Sequence, residues 1–371
     1  MNKNKTLILV SSALLITIFV SLFLLFKIED YKKKIDESVI LKKEISILKN
    51  NKKITENLFQ GKRYLDMEIK SQKSNNYNIS KFYLGELNLG NKKETFRWSY
   101  IEEIEDKIII ISASGQVYFF KKSDLTNKIE LAEIKSNIQD LQDLNNSHFR
   151  VSVKDIFIDP NKDMFVSLIT FDKKDKSCHK ISIIKSDFNT NKLNFETFFE
   201  FDECVIIEET PSSQNGGRMV DYKDNKLLFT IGDFSTFVRA QDKSSIYGKI
   251  IEIDKENPKS FNFISVGHRN QQGLYYDPVK NKIYSAEHGP EGGDEFNQII
   301  PGGNYGWPVA SYGKLGDENK RKINPDIIKL LNSHEKNGFV EPIKYFETSI
   351  GISETIKNYF ENQNNYNSYF V

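Results

Sequence analysis

The sequence predicts an all-β chain of β-propeller type, preceded by an N-terminal transmembrane helix and a helical stalk. Three observations carry this. From about residue 95, short β-branched and aromatic runs alternate with Asn, Asp, Lys and Gly, the pattern of a many-stranded β fold. One unit recurs, IDPNKDMFVS at 158–167 and YDPVKNKIYS at 276–285, with related turn-then-strand units at Glu105-Asp106-Lys107 and at 223–226. The strand residues that open these units, Ile108, Met164, Leu227 and Ile283, are spaced by 56, 63 and 56 positions, each enough for a four-stranded blade with its loops. Alternation alone would also suit a β-sandwich, which is the competing architecture. Finally, residues 7–26 form an uncharged run of 20, about the length that crosses a bilayer core as a helix.

Taken in order, the chain divides into a membrane anchor (1–27), a stalk (28–60) and the propeller domain (61–371). No A-x-A-like site follows Phe26, and the chain continues directly into Lys27-Ile28-Glu29-Asp30, so the anchor is expected to be retained. Its orientation draws on opposing signals. Lys27 and Lys32 to Lys34 outnumber Lys3 and Lys5, which by the positive-inside rule would leave the body in the cytoplasm. Cys178 and Cys204, 26 positions apart around an expected hairpin, could form a disulfide or stand as two buried thiols; a disulfide would suit an oxidising compartment. We expect the propeller on the periplasmic side. A zinc site is not expected, because His179 is the only adjacent ligand and no C-x-x-C spacing exists.

In the stalk, Ile28, Tyr31, Ile35, Val39, Ile45 and Leu48 follow an imperfect heptad, open to self-association or to service as a solvated spacer. With 52 basic and 51 acidic residues, the chain has no global field of the kind that draws nucleic acid.

The stretch Gly267–Pro308 concentrates turn formers and polar groups next to short strands, as expected of functional loops at one end of a sheet scaffold. Its residues Gly267-His268-Arg269-Asn270, Gln272-Gly273-Leu274, Glu287-His288-Gly289-Pro290, Gly293-Asp294-Glu295 and Asn304-Tyr305-Gly306-Trp307-Pro308 resemble the soluble quinoprotein glucose/sorbosone dehydrogenase family. Upstream, Gly216-Gly217-Arg218, Asp233, Gln241-Asp242 and Gly248-Lys249-Ile250 extend the likeness. The resemblance is strong over 212–313 and weaker over 95–211, and does not reach 1–60.

It implies a six-bladed propeller that binds pyrroloquinoline quinone (PQQ) and calcium at its rim and passes a hydride from a sugar's anomeric carbon to the quinone. By resemblance Arg269 and Asn270 hold the cofactor carboxylates, and Glu295 with the Tyr305 backbone carbonyl holds calcium, a cation that takes hard oxygen ligands. His268 and His288 are expected to pack the loops.

Two departures matter. The family's base histidine, which precedes Gly-Gly-Arg, is replaced by Gln214, or by Ser213 if the gap falls differently, while its orienting aspartate remains as Asp233. A neutral amide has no titratable site near pH 7, so sugar oxidation is expected to be impaired. His148 is the spare candidate base. The chain also ends at Val371, before the lysine and arginines that the family places in its last blade. The expectation is therefore a PQQ-dependent sugar dehydrogenase-like protein; a non-catalytic anchored propeller that binds a saccharide or protein partner is the alternative.

Overall fold

The computed structural model describes residues 63–73, 78–84, 99–125, 128–141, 153–172, 175, 177–206, 213–315, 333–357 and 369–370. The expected anchor, the stalk and His148 lie outside them. No helix among the described residues is long and apolar enough to cross a membrane. By compactness the chain divides into Met1–Tyr64 and Leu65–Val371.

Four antiparallel sheets follow one another along the chain. In the first, Ser99–Ile104, Lys107–Ser112, Val117–Lys121 and Lys128–Ser136 run as a meander, extended by the ribbon Arg63–Lys73 and Asn78–Leu84. The second comprises Val153–Ile158, Asp163–Phe171, Cys178–Asp187 and Glu196–Phe199. The third comprises Gly216–Tyr222, Lys226–Ile231, Lys249–Asp254 and Phe261–Val266. The fourth comprises Gln271–Asp277, Lys282–Glu287, Asp294–Ile299 and Lys344–Phe346. A two-stranded pair, Ile356–Lys357 with Tyr369–Phe370, follows. The first strands of successive sheets pack side by side, which is the blade arrangement of a propeller.

The repeat seen in the sequence is the second strand of each blade and the turn that feeds it. In the second blade this strand has a neighbouring sheet on each face, Met164 and Val166 packing toward one and Phe165 toward the other, so it reads as a continuous apolar run: in Asp163–Phe171, the six residues Met164 to Ile169 are all buried. The turns demand left-handed backbone, supplied at Glu105 (φ 54°), Lys162 (φ 69°), Asp224 and Asn225 (both φ 57°) and Asn281 (φ 52°). Asp159 and Asp277 do the same work in their two blades. Asp159 Oδ1 accepts the backbone N–H of Asn161 at 2.9 Å and of Asp163 at 3.0 Å. Asp277 Oδ1 accepts those of Val279 at 3.0 Å and Lys280 at 3.2 Å.

The core lies in layers between blades. Ile109, Ile111, Ile156 and Val166 fill the first layer, Phe165, Ile181, Phe229 and Ile251 the second, and Leu228, Ile250, Leu274 and Ile283 the third. At the hub one cation ties the inner strands. Arg218 Nη1 donates to buried Asp155 of the second blade at 2.8 Å, and Nε donates to the Gln272 carbonyl of the fourth at 2.9 Å. Nη2 reaches the Ser353 carbonyl at 3.0 Å and Glu354 at 2.9 Å.

The expected disulfide is present: Cys178 and Cys204 are bonded, with Cα atoms 5.5 Å apart. The bridge staples Val205–Ile206 to Cys178–Asp187.

Candidate active site

Four rim segments converge above the inner strands of the third and fourth blades. The Asp233 N–H donates to the Arg269 carbonyl at 2.8 Å, and the Phe234 N–H to the Gln214 carbonyl at 3.1 Å. The Gly216 N–H donates to Asn270 Oδ1 at 3.1 Å, and the Trp307 N–H to the Gly267 carbonyl at 2.9 Å. Such lacing requires close backbone approach. A Cβ at Gly232 would stand 1.9 Å from the Gln214 carbonyl oxygen, so only glycine fits there. Gly267 takes φ 77°, and a Cβ on it would meet Asn304 Oδ1 at 2.2 Å.

Gln214 itself sits at φ 60°, a left-handed conformation that costs a non-glycine residue about 1–3 kcal/mol and marks positions where surroundings dictate the backbone. Its amide bridges two charged groups. With both polar atoms matched, Nε2 donates to Asp233 Oδ1 and Oε1 accepts from Arg269 Nη2, each at 2.8 Å. The guanidinium fixes this orientation, since an amide NH2 turned toward it would set donor against donor.

Asp233 is fully buried and also accepts the Ser235 N–H at 2.7 Å and Trp307 Nε1 at 2.6 Å. Burial pushes its carboxyl up to about 7, against the pull of Arg269 and these donors. Trp307 lies in the Asn304–Pro308 motif, and its bond to Asp233 spans 74 positions, beyond the reach of any local spacing pattern.

Arg269 and Asn270 are both buried on the rim. The Arg269 guanidinium lies 5.4 Å from the Trp307 ring and donates through Nη1 to the carbonyls of His288 at 3.1 Å and Gly289 at 2.8 Å. Burial pulls it below its ordinary pKa, as expected for a cation out of water. Arg269 Nε and Asn215 Nδ2 are buried with no hydrogen-bond partner among the described residues. Unspent donors beside a buried cation suit a ligand carrying anionic oxygens, so this part of the rim fits PQQ.

For calcium the resemblance gives Glu295 and the Tyr305 backbone carbonyl, and Glu295 lies one strand pair away from the Arg269 rim. Glu295 pairs directly across strands with Glu287. Asn297 Nδ2 bridges the two, 3.1 Å from Glu287 Oε1 and 3.3 Å from Glu295 Oε2. Burial, and then Glu287, hold the Glu295 carboxyl well above its ordinary range. Burial also raises Glu287, but His268 at 3.1 Å and the Arg269 N–H at 2.9 Å outweigh it and keep that carboxyl low.

Tyr305 is buried against His268, their rings 4.6 Å apart, and its hydroxyl bonds the Gln298 carbonyl at 2.6 Å. His268 packs the loops as expected. So does His288, whose Nε2 lies 3.0 Å from Gln272 Oε1. No group of three or more His, Cys, Asp or Glu side chains among the described residues is arranged to hold a metal ion.

A family model for glucose/sorbosone dehydrogenases matches residues 98–370. The chain belongs to this family. Among curated relatives, it is 36% identical over 152 residues to aldose sugar dehydrogenase YliI of Escherichia coli, covering 37% of this chain and 38% of that protein. It is 35% identical over 140 residues to quinoprotein glucose dehydrogenase B of Acinetobacter calcoaceticus, covering 29% of each. The matched stretches thus span well under half of either relative. The solved apo structure of the soluble aldose sugar dehydrogenase from Escherichia coli superposes with a TM-score of 0.55 at 19% identity, covering 69% of this chain and 73% of that one. That likeness shows the fold. In this glucose/sorbosone dehydrogenase family member, the site is thus built on a propeller rim, with Gln214 between Asp233 and Arg269.

Proposed function

We propose that this chain is a PQQ-binding, sugar dehydrogenase-like protein whose proton-accepting step is weakened. Family membership supports a sugar as substrate, and the unspent Arg269 and Asn215 donors support an anionic cofactor against Arg269 and Asn270. PQQ, when bound, would supply the hydride acceptor. The chain's own part is to hold that ligand and to receive the hydroxyl proton as an aldose becomes its lactone.

The observation that carries the reading is the Gln214 amide locked between Asp233 and Arg269. A neutral amide in that place takes no proton from a substrate hydroxyl. Asp233, screened behind it, cannot touch substrate directly. Because both ends of the amide are already bonded, a rim that binds a saccharide without oxidising it is the second reading. Titrating the full chain with PQQ for a change in the quinone absorbance, followed by dye-linked assay with aldoses, separates the two. Quinone binding with slow turnover supports the first; no absorbance change up to millimolar PQQ with retained saccharide binding supports the second.

In this reading calcium takes no step, because the oxygens of Glu295 are already faced by nitrogen groups. The described blades belong to a six-bladed ring by family analogy. The Cys178–Cys204 disulfide supports an oxidising compartment, hence a propeller held on the periplasmic side by residues 7–26. Self-association through the stalk remains part of this proposal.

A further inference from the structure

The resemblance places a cation beside Glu295, and the side chains around that carboxylate do not suit one. Calcium takes six to eight oxygen ligands at about 2.3–2.6 Å. Here each Glu295 oxygen faces nitrogen: Oε2 lies 3.3 Å from Asn297 Nδ2, and Oε1 lies 3.5 Å from His334 Nε2.

His334 is 1% exposed and is seated by its own segment. Its carbonyl accepts the Asn337 N–H at 3.0 Å and the Phe339 N–H at 2.9 Å. Its ring centroid lies 5.1 Å from that of Tyr312, and a Cβ at Gly306 would come within 3.1 Å of it. Glu341 clips the segment from outside, accepting the Glu335 N–H at 2.8 Å and the Tyr312 hydroxyl at 2.6 Å.

We propose that His334 occupies the place of a metal ion at Glu295, so that the join between the Glu287/Glu295 pair and the Tyr305 loop is made by a side chain and not by calcium. The segment Ser333–Glu341 then acts as a built-in plug: it brings one imidazole to a buried carboxylate whose opposite side is closed by Asn297. This inference is independent of the sugar reading, because it concerns a structural join and is tested without cofactor.

The test is thermal unfolding of the full chain, free of PQQ, in EDTA and in 5 mM CaCl2, for wild type, His334→Gln and Glu295→Gln. We expect the wild-type midpoint to be the same in both buffers. His334→Gln should unfold several degrees lower in EDTA, while Glu295→Gln, which keeps the shape of the pair, should fold and stay insensitive to calcium. A wild-type midpoint that rises by about 4 °C or more in calcium, the scale expected of saturating a specific site in a chain of this size, and that loses the rise in Glu295→Gln, would overturn the proposal. So would a His334→Gln midpoint equal to wild type in EDTA, since the imidazole would then hold nothing together. If His334→Gln does not fold, the calcium response of wild type against Glu295→Gln still decides the matter.

Discussion

Gln214 Nε2 lies 2.8 Å from Asp233 Oδ1, so an uncharged amide fills the position for which the sequence resemblance implies a histidine steered by that aspartate. The aspartate keeps its orienting geometry and has nothing basic to orient. Replacing Gln214 with His should therefore supply the missing proton acceptor, with Asp233 holding its ring nitrogen and Arg269 nearby. We expect Gln214→His to raise dye-linked aldose oxidation by about a hundred- to ten-thousand-fold, the usual worth of a general base. PQQ affinity should change little. Steady-state kinetics on the PQQ-loaded variant would check this; unchanged kcat with normal PQQ binding would point to the non-catalytic reading.

Asp233 also sets a pH dependence of stability. Its folded-state pKa of about 7 lies above the unfolded value of about 3.9. The folded chain therefore binds this proton more tightly. The resulting stabilisation is full below about pH 4 and is lost as pH rises toward 7, at no more than about 1.4 kcal/mol per unit. Glu102 and Glu354, also raised to about 7 mainly by burial, act in the same direction but equally in both proteins of the comparison below. Urea unfolding at pH 5 and pH 8 should show a larger fall for wild type than for Asp233→Asn. Equal falls would mean that Asp233 stays ionised throughout.

What was legible in the sequence follows from how local each signal is. The units at Asp159 and Asp277 repeat because each blade must reverse its chain in the same left-handed turn, and a side chain that satisfies its own turn leaves a mark over five residues. Gln214 and Asp233 were legible through the glycines that let their backbones touch. The ribbon strand Arg63–Lys73 carries a short alternation, Leu65-Asp66-Met67-Glu68-Ile69-Lys70, but it stands apart from the turn-and-strand repeat that marks the blades from about residue 95. Trp307 and His334 act through bonds of 74 and 39 positions, Trp307 to Asp233 and His334 to Glu295, and no spacing rule reaches so far. The Arg218 hub was hidden for the same reason: its partners come from the inner strands of the second and fourth blades and from Ser353, far apart in sequence.

Those partners make Arg218 a sensitive point of the fold. Removing it leaves Asp155, 2% exposed, as a buried carboxylate without its counter-ion. Loss of one member of a buried pair costs about 3–5 kcal/mol. Arg218→Met should lose that much in urea unfolding. Arg218→Lys should recover only part of it, since an ammonium lacks the planar fork that reaches Asp155, Gln272 and Ser353 together. The double variant Arg218→Met/Asp155→Asn should be more stable than Arg218→Met alone, because the uncompensated charge goes with the aspartate. If it is less stable, the hub is held chiefly by the arginine's bonds to backbone carbonyls.

The disulfide gives a separate handle on the rim. Beyond joining Cys178 to Cys204, it fixes the neighbouring Glu203, which accepts the Ser245 hydroxyl at 2.8 Å and the Ile246 N–H at 2.9 Å. The Cys204 carbonyl accepts from Arg239 Nη1 at 3.1 Å, in the short helix Phe237–Ala240 that follows Asp233. Closing a loop of 26 positions is worth about 3–4 kcal/mol by chain entropy. Cys178→Ser/Cys204→Ser should therefore unfold at lower urea, and wild type should lose the same amount in reductant. Because the bridge anchors the loop behind Asp233, the double variant should also bind PQQ more weakly in the cofactor titration. A variant that loses stability while binding PQQ as wild type does would confine the bridge's role to the second blade.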